Sequence, residues 1–190
     1  MSPILGIWAS AQQGALAVGD YESIATVTVG SGGSSSITFS SIPSTYQHLQ
    51  IRYLARSNSI YQFEFANMQF NSDTSSSYVT HMLSGTGAAA QSESFGASSS
   101  FYGAGLCAGN PNSSGVFAAG VIDLLDYANT NKNKTIRTLS GLNNNDSNTG
   151  RQIALSSGVF IKTDAISSIV LTGNGANFSQ YSSFALYGIK

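Results

Sequence analysis

From Tyr21 onward the chain is a succession of short runs rich in Val, Ile, Tyr, Phe and Thr, cut roughly once every dozen residues by Ser, Gly or Asn. That rhythm restricts the fold more than any other feature. β-Branched and aromatic residues favour a pleated backbone, and Gly or clustered Ser and Asn favour turns, so a long amphipathic helix finds no room. Strands are expected at residues 21–29, 35–39, 48–56, 61–70, 78–83, 101–107, 116–127, 134–139, 151–160, 166–171 and 183–189. Alternation is cleanest at Leu49, Ile51 and Tyr53 against Gln50 and Arg52, and at Phe63 and Phe65 against Gln62 and Glu64. Each sheet should therefore have one buried and one wetter face. Two such sheets make an all-β β-sandwich over residues 21–190, most simply a jelly roll. The small-residue stretches 85–100 and 109–115 are expected to be loops and to offer contact surfaces.

Residues 1–20 stand apart as an extended N-terminal arm. Ile4, Leu5, Ile7 and Trp8 are apolar, after which the segment passes into Ala, Gln and Gly. Gly6 and Gly14 weaken a helical reading of Ile4 to Leu16. An exposed apolar arm carrying the one Trp calls for burial against the domain or another subunit. No Lys or Arg precedes the apolar patch, so it does not read as a signal peptide.

Charged residues make up only 9% of the chain and the net charge is -1, so no basic footprint for nucleic acid exists. No run of about 18 apolar residues is present, so no membrane-spanning helix is expected. The single Cys107, beside Leu106 and Ala108, reads as a small buried hydrophobe rather than a nucleophile.

Catalytic chemistry finds little purchase, and neither enzymatic activity nor a cofactor is expected. Glu22, Glu64 and Glu93 fall in different segments, and Glu64 reads as a solvated or ion-paired carboxylate on a wet face. Asp123 and Asp126 read as turn or sheet-edge charges rather than a metal pair. His48 and His81 with one Cys do not make a zinc triad, and no Gly-x-Ser-x-Gly elbow marks a nucleophilic Ser. Gly85-Thr86-Gly87 lacks the strand-to-helix setting of a phosphate loop, and Asn143 to Asn148 reads as a hairpin loop. Tyr46, Tyr61, Tyr102 and Tyr181 lie near Ser, Gln or Gly, where rings can reach solvent; Tyr102 and Tyr181 are the candidates for surface contact. The competing reading has Tyr plugging the ends of the sandwich with its hydroxyl hydrogen-bonded. Abundant short polar side chains suit a surface that packs against copies of itself, because they lose less entropy than Lys or Glu.

Several segments carry a resemblance. They are Ile4 to Ser10, Tyr21 to Ile24, Tyr46 to Arg52, Phe70 to Asp73 with Tyr78, His81 and Leu83, Ile122-Asp123 with Tyr127 and Asn129 to Lys132, and Ala165 to Leu171 with Phe178, Phe184 and Leu186 to Ile189. Together they resemble small virion structural proteins of tailed bacteriophages, over nearly the whole chain. The resemblance implies a jelly-roll-like domain, commonly a homotrimer, made in the host cytoplasm and located in the virion. Its arm, through Ile4, Leu5, Ile7 and Trp8, would attach it to the major capsid protein or another virion protein. Two uses follow: a capsid cement or decoration protein, or a tail-fibre or spike protein that binds host surface glycan. An arm without a coiled-coil or β-helical shaft favours cement. The shared motifs specify strands and turns and transfer no catalytic residue.

Overall fold

The computed structural model describes residues 20–144 and 151–190. Within them lie twelve strands: β1 (Tyr21–Thr28), β2 (Ser36–Phe39), β3 (His48–Ala55), β4 (Phe63–Phe70), β5 (Tyr78–Gly85), β6 (Ala90–Ser98), β7 (Phe101–Ala108), β8 (Ala118–Leu125), β9 (Lys134–Leu142), β10 (Gln152–Phe160), β11 (Ile169–Gly173) and β12 (Ser183–Ile189). They form two antiparallel sheets packed as a sandwich. The larger has the order β1-β12-β3-β8-β9-β10-β5-β6, and the smaller β2-β11-β4-β7. From β1 to β4 each successive strand crosses to the other sheet, whereas β5–β6 and β9–β10 are hairpins that widen the larger one.

The expected strands are present with ends shifted by a few residues. Ile166 falls before β11 because its N–H donates to the Tyr127 carbonyl rather than to a sheet neighbour. One strand was not expected. Residues 90–98 read as loop because Gln91, Ser92, Glu93 and Ser94 show no apolar alternation, yet they form β6. The strand owes its existence to its ladder with β5, and as an almost wholly exposed edge it needs polar side chains. Gly85-Thr86-Gly87 opens the tight turn before it, where the Thr86 hydroxyl accepts from the N–H groups of Ala88 and Ala89. The stretch 109–115 is held from beneath: the buried Arg56 guanidinium donates to the carbonyls of Asn110, Asn112, Ser113 and Val116 at 2.8–3.3 Å.

In β3, Leu49, Ile51 and Tyr53 are buried and Arg52 is exposed, as alternation requires. β4 departs from its expected pattern, since Glu64, Phe65 and Ala66 are all buried. The cause is its neighbour β7, of which every residue except Tyr102 is buried. Ala104 and Cys107 join the main core with Tyr53 and Ile122, while Leu106 and Ala108 join a second cluster with Met82, Leu142 and Ala154. The larger sheet contributes to both clusters, so it curls around β7 and covers both of its faces. Cys107 is accordingly buried, and burial raises its thiol far above the usual range.

Close approach shows in two glycines. A Cβ on Gly120 would lie 2.5 Å from the Tyr53 hydroxyl oxygen, and one on Gly105 would lie closer still. Tyr53 thus occupies the space of two missing side chains, one on each sheet, with its ring stacked on Phe184 at 5.6 Å. Overpacking such a contact costs about 1–3 kcal/mol. Gly105→Ala should therefore lower stability in urea denaturation by that amount, and in a Tyr53→Leu background most of the increment should vanish.

Candidate functional site

Two features of the surface are built rather than incidental. The first is the outer face of the larger sheet. Register places Arg52, Val121, Leu139, Leu155 and Leu83 in one row across five strands, and Leu54, Ala119, Gly141, Ile153 and Gly85 in the next. Leu54, Leu83, Leu139, Ile153 and Leu155 are each about half exposed, 50–58%. β10 reverses the usual arrangement: Ala154, Ser156 and Gly158 point inward, where β7 approaches closely, and the large Ile153 and Leu155 point outward. The row on the other side carries Asp123 and Arg137 as register partners 3.5 Å apart, with Gln50 donating to Asp123 at 2.9 Å. The apolar patch is thus bordered by charges already neutralised on the same face.

The second feature is a cleft of about 710 Å³ at the start of β4. It is lined by Phe63, Glu64 and Phe65 of β4, by Met82, Ser84 and Glu93 of the β5–β6 hairpin, and by Tyr102 and Gln152. Residues 58–61 and 174–176 also line it, and Tyr61 among them is 69% exposed. The Tyr102 ring lies 4.5 Å from Phe95 and 5.6 Å from Phe65, centroid to centroid. Burial, then Glu93 and Glu64, raises its hydroxyl above the ordinary tyrosine range.

Glu64 corrects the expectation of a solvated carboxylate on a wet face. It is only 8% exposed, pairs in register with Cys107, and its Oε1 has no hydrogen-bond partner. It is buried because β4 lies between β11 and β7 and is covered like the rest of the enclosed strand. Burial pushes its carboxyl above the usual value, and the hydroxyls of Ser57 and Ser59 act in the opposite direction. Gln152, which the sequence did not single out, is 6% exposed, and its Oε1 also lacks a partner. A sequence signal for Glu64 did exist: four consecutive residues, Phe63 to Ala66, contain a single polar side chain, too apolar a run for an exposed face.

Of the residues expected to make surface contacts, Tyr102 is half-buried in the cleft. Tyr181 stands elsewhere, 70% exposed at a left-handed φ of 70°, with its N–H donating to the Val29 carbonyl. The structure does not bring the two together. Tyr46 is half-buried against Gly188, and Tyr78 and Tyr127 are buried with their hydroxyls bonded to backbone, in the plugging role weighed for tyrosines. Asp126 sits on a turn at φ 50°, and its ion pair with Lys132 at 2.7 Å holds its carboxyl below the usual range. His48 accepts from the Asp126 N–H through Nδ1, and His81 is exposed on the outer face. Ile4, Leu5, Ile7 and Trp8 lie outside the described residues, as do residues 145–148 of the Asn-rich loop.

No protein-family model, curated protein or solved structure matches the chain. The reading of these two surfaces rests on their geometry and chemistry.

A carboxyl whose pKa is higher in the folded than in the unfolded chain favours folding at low pH, and that contribution is lost as pH rises through the folded value. Glu64 has this sign, with 4.5 as the ordinary value. Glu64→Gln should raise Tm above that of the unmodified chain at about pH 7 and leave it unchanged at about pH 4; an equal offset at both would show that charge burial is not the cause.

Proposed function

We propose that this chain is a structural protein of a tailed-bacteriophage virion, a cement or decoration protein that acts by contact with copies of itself and with a capsid protein. The observation that carries the reading is the outer face of the larger sheet. Five large aliphatic side chains there lie in adjacent rows, and covering them removes apolar surface from water at about 25 cal/mol per Å². We take a second copy of this chain as the occupant: the bordering Asp123–Arg137 pair is neutral as a pair, and the guanidinium of Arg52, at the end of the row, lies over the Tyr21 and Tyr187 rings. The resemblance adds the oligomer, a homotrimer, and the anchor, Ile4, Leu5, Ile7 and Trp8. The jelly-roll reading draws support from strand order: β1-β12-β3-β8 opposite β2-β11-β4-β7 is the arrangement of two Greek keys, with the two hairpins as additions.

Leu139→Asp with Leu155→Asp places two charges on the patch and none in the core. Light scattering should show the unmodified chain as a trimer and the variant as a folded monomer of unchanged Tm. A monomeric parent, or an oligomer that survives the change, would remove the sheet face from the model. Deleting residues 1–14 should leave a folded domain that no longer decorates particles; full occupancy by the truncated chain would remove the arm. Immunogold labelling of virions should place the protein over the head, whereas gold confined to the tail would favour the receptor-binding use.

A further inference from the structure

We infer that the cleft between the start of β4 and the β5–β6 hairpin binds a saccharide whose contacting groups are hydroxyls or N-acetyl amides and which carries no acidic group. The inference is independent of where in a virion the chain resides. Three observations converge on this ligand class. Two residues that line the cleft, Glu64 and Gln152, are 8% and 6% exposed, and each carries a buried side-chain oxygen, Oε1, with no partner. A buried acceptor left unmatched lowers stability, and a ligand that brings donors to it recovers that loss. A sugar supplies several O–H donors, the groups that unmatched acceptors need.

The aromatic lining supplies the second argument. Tyr61, Phe63, Phe65 and Tyr102 present ring surface to the same cleft, and the C–H face of a pyranose packs on such rings while its hydroxyls point sideways to polar groups. Asn58, Gln91 and Asn174 stand among the lining residues as further amide partners. An aliphatic ligand would leave these groups and the two acceptors unmatched.

Charge then narrows the class. Among the described residues, no Lys, Arg or His lines the cleft, but two carboxylates, Glu64 and Glu93, do. Phosphate, sulfate, uronic and sialic acids would meet repulsion with no cation to offset it. The volume, about 710 Å³, lies within the usual range for small-molecule sites.

The test uses the full chain on an array carrying neutral, N-acetylated and acidic saccharides with spermidine as a cationic control, followed by calorimetric titration of the strongest saccharide. Binding should be confined to acid-free sugars. Glu64→Leu and Gln152→Leu each remove an unmatched acceptor without opening a cavity, so both should keep or raise Tm while weakening the sugar by about tenfold. Tyr102→Ala should weaken it as well. Absence of binding, preference for acidic sugars or for spermidine, or an affinity in the Leu variants unchanged from that of the parent chain would each overturn the inference. None of these outcomes bears on the oligomer, whose patch residues Leu139 and Leu155 do not line this cleft.

Discussion

Tyr53 reaches from β3 across the interior, and it can do so only because Gly105 on β7 and Gly120 on β8 offer no side chain in its path. Much of the architecture depends on that slot. With Phe184 stacked on Tyr53 and Phe178 edge-on to Phe184 at 5.0 Å, three aromatic rings pack in succession within the main core. The close approach draws β7 deep into the sandwich, and the larger sheet curls around it to cover its second face. A strand enclosed on both sides leaves little space beside it, which explains the small inward residues of β10 and the fit of Phe101 over Gly158.

The two candidate surfaces are consequences of that enclosure. Widening the larger sheet far enough to wrap β7 required the hairpins β5–β6 and β9–β10, and among the described residues no element covers their outer faces. Leu83, Leu139, Ile153 and Leu155 occupy those faces, and a chain with only 9% charged residues has few other means of keeping the patch from water than contact with another molecule. The cleft arises where the wrapped edge meets the start of β4. Glu64 and Gln152 sit there at a cost to stability, since each has an acceptor that folding removed from water without replacement. Residues kept under such a penalty are expected where binding recovers what folding gave up.

Much of the fold could be read from the residues, because strands with a covered face and a wet face write their pairing into alternate positions. β3 is the clear case: Leu49, Ile51 and Tyr53 face the core, and Arg52 faces out. Where both faces are covered the pattern fails, and β4 shows it, with Glu64 counted among wet positions because Phe63 and Phe65 appeared to claim the buried side. Where neither face is covered it fails in the opposite direction. β6 has no apolar rhythm to read, and its existence depends on main-chain bonds to β5, which are blind to side-chain type.

The sequence by itself determined the all-β class, the turn positions and the low charge, since each follows from local preference: β-branched residues extend, Gly and Asn turn, and Ser and Thr solvate without ionising. The apolar neighbours Leu106 and Ala108 also marked Cys107 as a buried residue, which it is. Tertiary structure alone decided which large residues lie on the outside, because Ile153 and Leu155 look no different in sequence from core residues until β7 claims the inner face. It alone brought Glu64, Tyr102 and Gln152 to one cleft, from strands far apart in the chain. The physical reason is the same in both cases: burial is a property of what packs against a strand, and a chain's alternation records only how many of its faces were meant to be dry.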